Sequence, residues 1–131
     1  MIMTQEDIQT LFDTWNAALQ TGNPDVVTEL YAEDAVLLPT VSNKVRHNHD
    51  EIRDYFVAFL ARKPVGVIDE SNTRLLADGL ASNSGVYTFT FGDDGSQVTA
   101  RFTYVYRKTI EGWKIIEHHS SAMPETMAKA A

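Results

Sequence analysis

The chain has 131 residues, 44% of them hydrophobic and 22% charged, a balance that suits one folded domain over 1–131 and excludes disorder and fibrous repeats. Its formal net charge is -7 and its pI is near 4.9, which argues against nucleic-acid or anionic-membrane partners, because no basic surplus offsets phosphate repulsion. Cysteine is absent, so disulfides, thiolate nucleophiles and cysteine-based zinc sites are excluded.

The opening residues, Met1 to Asp7, have neither the basic stretch nor the apolar run of a secretion signal. No apolar run approaches the roughly 20 residues that a bilayer span needs, so a cytoplasmic location is expected. Thr4 reads as a helix N-cap, with Glu6 and Asp7 in the first turn, where negative charge suits the helix dipole. Ile8, Leu11, Phe12, Trp15, Ala18 and Leu19 follow at helical spacing, and Gly22 ends that helix. Asn23-Pro24 reads as a cap with proline at the first helical position, opening a short helix that turns Val26, Val27, Leu30 and Tyr31 inward. Ala35-Val36-Leu37-Leu38 is a short strand closed by Pro39, followed by a polar loop over 40–48 with room for a small hairpin. Asn48 stands three residues before Glu51, a capping arrangement. Ile52, Tyr55, Phe56, Phe59 and Leu60 then form the apolar stripe of another helix, which ends at Lys63-Pro64.

From Val65 the period changes to two, and strands are expected at 65–69, 71–78, 80–91, 96–108 and 113–122. Asp78-Gly79, Gly92–Gly95 and Glu111-Gly112 are the turn signals between them. Helices first and an antiparallel meander after them make an α+β fold, with helices on one sheet face.

Register assigns the faces. The four-residue Gly92–Gly95 turn sets Phe89 opposite Val98 and Tyr87 opposite Ala100, so Tyr87, Phe89, Phe91, Phe102, Tyr104 and Tyr106 share the face that meets the helices. An even loop around Thr109–Gly112 keeps Trp113, Ile115, Glu117 and His119 on that face and turns His118 and Ser120 outward. An odd loop inverts the assignment. The even loop is favoured because it joins Trp113 and Ile115 to the other aromatics. Glu117, His119 and Tyr104 then form an inward cluster, read either as acid–base or ligand-orienting chemistry or as a hydrogen-bonded structural pair.

Other candidates follow from residue type. Tyr31, Tyr55 and Tyr87 carry hydroxyls that need partners when buried and are candidates for a pocket wall. Arg46 and Arg53 have the fork to hold an anion, or pair with surface carboxylates. Arg101, Thr103, Val105, Arg107, Ile116 and His118 form an outer face too apolar for plain solvent exposure and suited to a two-fold contact between copies. His47-x-His49 with Asp50 has ligands that suit zinc or iron, but spacing fixes no third ligand, and no metal or other cofactor is expected.

Two stretches resemble a known family. W-N-A-A-L-Q-T-G-N-P-D-V-V-T-E-L-Y-A-E-D-A-V-L-L-P-T, with I-R-D-Y-F-V-A-F-L, resembles the front half of the nuclear transport factor 2-like superfamily. A-R-F-T-Y-V-Y-R-K-T-I-E-G-W-K-I-I-E-H-H-S-S-A-M-P-E resembles the association domain of calcium/calmodulin-dependent protein kinase II and its free-standing bacterial relatives. The resemblance covers roughly Ile8 to Glu125. It implies a cone-shaped, cystatin-like fold, N-terminal helices on a curved mixed or antiparallel sheet, a pocket between them, and self-assembly through the outer sheet face. It also implies a pocket for a small carboxylate or other polar molecule. Where the kinase domain has His-Arg-Ser-Gly, this chain has His119-Ser120-Ser121-Ala122, so one arginine position is a serine. The superfamily also contains isomerases, cyclases and dehydratases. The alternative it implies is proton transfer by His119 or Glu117, with Tyr104 steadying an oxyanion.

Overall fold

Helical spacing of Ile8, Phe12, Trp15 and Leu19 puts four large side chains on one face of α1 (Gln5–Gln20), and all four are buried. The computed structural model describes residues 5–125, so the expected cap at Thr4 lies outside the described residues. Asn23 caps α2 (Pro24–Thr28), its Oδ1 accepting from the Asp25 N–H at 2.9 Å. Within α2, Val27 is buried but Val26 is exposed, contrary to the expectation that both face inward. β1 (Tyr31–Leu38) starts four residues earlier than the Ala35 run suggests. A single antiparallel bridge, Leu37 to Arg46, is all that forms of a hairpin in the loop after it. Asn48 caps α3 (His49–Ala61), accepting from the Glu51 N–H at 2.9 Å. Lys63 adopts φ of 53°, the left-handed turn that ends the helix ahead of Pro64.

The remaining strands are β2 (Pro64–Ala77), β3 (Leu80–Phe91), β4 (Gln97–Thr109) and β5 (Gly112–Ala122). They form one sheet with β1 in the order β1-β5-β4-β3-β2. β1 runs parallel to β5 and every other neighbour is antiparallel, so the fold is α+β on a mixed sheet. The two strands expected at 65–69 and 71–78 are one strand with an extra residue, Asp69, between Ile68 and Glu70. Opposite that bulge stands Gly85, where a Cβ would collide with the Glu70 carbonyl oxygen. A bulge bends its strand and sharpens the twist, and only glycine admits so close a backbone.

Tyr87 pairs with Ala100 and Phe89 with Val98, as the four-residue turn requires. Tyr87, Phe89, Phe91, Phe102, Tyr104 and Tyr106 are all buried beneath the helices. α1 lies against β2 and β3, and α3 against β1 and α2. The opposite sheet face carries Val65, Val67, Val86, Arg101, Thr103 and Val105, and no described helix covers it. Among the described residues no helix is long and apolar enough to cross a membrane.

The β4–β5 loop is even. Thr109 pairs with Gly112 and Tyr106 with Ile115, which places Ile115 in the core. The register then shifts. Val105 pairs with Glu117, so Ile116 is an extra residue in β5 and every side chain after it changes face. His118 now pairs with Tyr104 and Ser120 with Phe102, both on the inner face. Glu117 and His119 pair with Val105 and Thr103 on the outer face, and both are exposed. The inward placement of Glu117 and His119, and the outward placement of His118 and Ser120, are therefore corrected. The turn parity was right; the bulge one strand-half later reversed its consequence.

Candidate functional site

Burial of His118 organises the inner face. The residue is 3% exposed. The Tyr104 ring stacks on its imidazole with centroids 4.1 Å apart and 20° between planes. Trp15 meets it edge-on at 5.6 Å. These apolar walls disfavour the charged imidazolium. Burial, and secondarily the neighbouring His119, pull the His118 pKa down to about 3. The imidazole is therefore neutral at pH 7, with one nitrogen donating and the other accepting.

The partners decide which nitrogen carries the proton. Trp15 Nε1–H donates to the Tyr31 hydroxyl at 3.1 Å. The Tyr31 hydroxyl lies 2.8 Å from His118 Nδ1. The Tyr87 hydroxyl lies 3.1 Å from His118 Nε2 and donates to Ser120 Oγ at 2.6 Å. Ser120 Oγ in turn touches Thr40 Oγ1. Tyr87 has one proton, and it goes to Ser120. His118 Nε2–H must then donate to Tyr87, and Nδ1 must accept from Tyr31. In the other tautomer two N–H groups would point at Tyr31 and leave its own proton unused in the core. The chain thus runs in one direction from Trp15 through Tyr31, His118 and Tyr87 to Ser120, which touches Thr40. Burial also raises the Tyr31, Tyr87 and Tyr104 hydroxyls above their ordinary range, so all three remain protonated.

At the outer end of this chain is a cavity of about 20 Å³, bounded by Thr40, Tyr55, Phe59, Tyr87, His118 and Ser120. That is room for about one water-sized group. Tyr55 and Phe59 also wall a wider groove of about 410 Å³ outside it, with Ser42, Arg46, Arg62 and Phe91. The two hollows share those rings, so the inner cavity lies behind the groove.

Arg46 is the buried cation of the groove, 7% exposed. Its Nε donates to the Lys44 carbonyl at 3.2 Å and Nη2 to Ser42 Oγ at 3.1 Å. Nη1 donates to the Glu51 carbonyl and to Asp54 Oδ2, both at 3.1 Å. Four of its five N–H groups are thus engaged. Its guanidinium carbon sits 5.6 Å from the Tyr55 ring centroid.

Of the expected pocket residues, Tyr31, Tyr55, Tyr87 and Arg46 come together here, with Tyr31 behind the cavity as part of the relay. Arg53 does not. It lies on the exposed side of α3 and pairs with Asp25 at 2.5 Å. Tyr104 supports His118 with its ring, but its hydroxyl has no partner among the described residues. Glu117 and His119 are on the other side of the sheet. On that side Arg101, Thr103, Val105 and Arg107 stand as expected, and Arg107 pairs with Asp34 at 3.3 Å. Ile116 is half-buried at the bulge, and His118 leaves the set. His47 pairs with Glu51 at 3.1 Å, while His49 Nε2–H donates to the Tyr31 carbonyl at 2.7 Å. Among the described residues no three His, Asp or Glu side chains converge as a metal site would need.

Sequence reasoning passed over Thr40, Ser120 and Trp15 as site residues. Trp15 gave a signal, since a buried indole N–H seeks an acceptor. Thr40 gave none, because a threonine after Pro39 reads as loop.

The sequence model of the calcium/calmodulin dependent protein kinase II association domain matches residues 4–124. Among solved structures, a candidate association domain of that kinase from Xanthomonas campestris is 57% identical, with a TM-score of 0.89, covering 92% of this chain and 88% of the other. A candidate dehydratase of the nuclear transport factor 2-like family from Streptomyces avermitilis has a TM-score of 0.80 at 15% identity, covering 92% and 96%. A nuclear transport factor 2-like protein with a cystatin-like fold from Novosphingobium aromaticivorans has a TM-score of 0.75 at 14% identity, covering 95% and 84%. The last two share the fold alone. Among curated proteins none is significantly similar to the chain.

Proposed function

The chain belongs to the calcium/calmodulin dependent protein kinase II association domain family, and on that premise we propose a self-assembling module that holds a small polar or anionic molecule in the groove outside His118. The uncovered sheet face supports assembly. Val65, Val67, Val86 and Val105 stand there among Thr103, Arg101, Glu117 and His119, half apolar and half polar, as self-complementary contacts are. The observation that carries the pocket is the hydrogen-bond chain that runs from Trp15 to Ser120 and meets Thr40, next to a groove that contains a buried arginine.

Ser120 occupies the position at which the kinase domain resembled here has arginine, and it lies at the cavity wall. A guanidinium deep in the cavity is thereby replaced by hydroxyls, which leaves Arg46 and Arg62 at the groove as the cations for an anionic group. A hydroxy acid fits this division, its hydroxyl toward Thr40 and its carboxylate toward the groove. Proton transfer by His119 or Glu117 is the weaker reading, because both residues lie across the sheet from the cavity.

Light scattering on the purified chain tests assembly. The expected mass is a multiple of the 14.7 kDa protomer. Val105→Lys lowers that mass while the far-ultraviolet dichroism stays unchanged. A monomeric parent at micromolar concentration removes the assembly proposal. For the pocket, glycolate is titrated while the backbone amides of Thr40, Ser42 and Arg46 are followed by NMR. Saturable shifts at these amides, weakened by Arg46→Gln, are expected. Absence of saturation removes the pocket proposal.

A further inference from the structure

β2 is an edge strand, with β3 on one side and no strand on the other. Alternate residues of such a strand point both backbone groups off the edge. Along the first half of β2, α1 covers them. The Asn16 carboxamide brackets Gly66, its Nδ2 donating to the Gly66 carbonyl at 2.9 Å and its Oδ1 accepting from the Gly66 N–H at 3.0 Å. Gln20 Nε2 donates to the Pro64 carbonyl at 3.1 Å. Pro64, Gly66 and Ile68 are thus the outward residues before the bulge. The extra residue Asp69 shifts the phase by one, so Ser71, Thr73 and Leu75 face outward beyond it. Among the described residues no strand and no helix side chain bonds to their outward N–H and C=O groups. Glu70 and Arg74 stand on the outer face of this bare stretch, opposite Val86 and Ser82. Neither has an ion-pair partner among the described residues. Leu75 and Leu76 are half exposed.

We propose that the bare half of β2 pairs with the same segment of a second copy of this chain, antiparallel and two-fold about Asn72. Phase and charge together set this register. Outward groups must meet outward groups, so Ser71 lies across from Thr73 of the other copy, each such pair exchanging both N–H···O bonds. Glu70 then lies directly across from Arg74 of the other copy, and Arg74 from Glu70. Opposite charges directly across an antiparallel pair favour it. Moving the two-fold to Thr73 would set Glu70 against Leu76 and break both charge contacts. Leu75 belongs to the inner face, since it pairs with buried Ala81. Each copy therefore brings its Leu75 to the α1 side of the other, where Phe12 and Ile68 border a cleft of about 270 Å³. This contact is separate from the open sheet face around Val105 and does not require that face to assemble.

The test uses the full chain carrying Val105→Lys, so that edge pairing is followed without the face contact. Sedimentation equilibrium is expected to show the 14.7 kDa protomer giving way to twice that mass as concentration rises. The Ser71 and Thr73 amides gain protection from hydrogen exchange over the same range. Arg74→Glu, or separately Glu70→Arg, sets like charges across the two-fold. Each weakens pairing by about four- to twenty-fivefold, two exposed contacts at about two- to fivefold each. An equimolar mixture of these two variants restores pairing, because every such contact in the mixed pair is again Glu against Arg. Thr73→Pro removes an outward N–H that β3 does not use, and abolishes pairing with the dichroism unchanged. Should Thr73→Pro fail to fold, the exposed charge variants carry the test. The proposal is overturned if the Val105→Lys chain stays monomeric up to about 1 mM, at the weak end of measurable contacts. It is also overturned if the mixture pairs no better than either charge variant alone. Protection of Ser71 and Thr73 at every concentration overturns it too, since the chain would then cover its own edge. A parent that is monomeric at micromolar concentration but pairs at higher concentration through these residues removes the face contact and supports the edge contact.

Discussion

Around His118 the polar side chains of Trp15, Tyr31, Tyr87, Ser120 and Thr40 all have partners, whereas along the same inner face Asn83, Tyr104 and Tyr106 leave an amide nitrogen and two hydroxyls without one among the described residues. Both sets are buried, so exposure does not separate them. Connection does. In the first set the Tyr31 and Tyr87 hydroxyls both accept and donate, and removing either strands its neighbours. In the second, the two hydroxyls are isolated, and removing one relieves a buried group of its missing bond. A polar residue in a core therefore reports on its neighbours as much as on itself.

The largest test of this contrast is His118→Glu, which puts a carboxylate where the neutral imidazole meets Tyr31 and Tyr87. A carboxylate buried there has no cation beside it and costs several kcal/mol, on the order of a small domain's whole stability. Deleting Ile116 is the control, because Glu117 then follows Ile115 directly, keeps its place opposite Val105 and leaves His118 and Ser120 inward. The expected outcome is loss of the cooperative thermal transition in His118→Glu and its retention in the deletion, and a parent-like melting curve for His118→Glu would show that the site is open to water.

Acid tests the connected set more gently. The His118 pKa is about 3 when folded against an ordinary 6.5, so the unfolded chain binds the proton more readily. The stability this group contributes is complete above pH 6.5 and is lost as the pH falls toward 3. Between pH 7 and pH 4 the loss is about 3 kcal/mol from this residue. Urea midpoints of the parent and of His118→Gln at both pH values isolate it from the carboxylates, because the variant lacks this part of the slope. Equal slopes would place His118 in contact with water.

The smallest effects come from a matched pair of hydroxyl deletions. Tyr31→Phe strands the Trp15 N–H and His118 Nδ1, and should cost about 1–3 kcal/mol. Tyr106→Phe removes a hydroxyl that has no partner among the described residues and should fall within about 0.5 kcal/mol of the parent, or above it. Chemical denaturation of both variants measures the difference, and equal losses would erase the distinction between the two regions.

Much of the scaffold was legible because it is local. The caps at Asn23 and Asn48, the apolar stripes of α1 and α3, and the Gly92–Gly95 turn depend on residues a few positions apart. The pairing of β1 with β5 was not legible, since parallel neighbours leave no turn between them to read. The pocket was read one residue out of place. Tyr31, Tyr87 and Arg46 were proposed from side-chain type, but the choice between His118 and His119 for the inner face needed the register. Isoleucine at 116 fits an ordinary strand and carries none of the glycine or proline punctuation that marks irregular backbone. Val26 was misread for a simpler reason, because a helix of five residues is too short to define a face.

Ile116 also bears on how variation in this strand would be felt. Letters 117–121 alternate between the interior and the open face of the sheet, so the strand carries two interleaved messages, one for each side. A substitution edits one letter of one message. Smoothing the bulge, with Ile116 taken into the ladder, would exchange the messages entire, sending the words written for the interior to the open face and the reverse. Two chains nearly identical by alignment could then present unlike interiors and unlike contact surfaces, with the turn at Thr109–Gly112 unaltered.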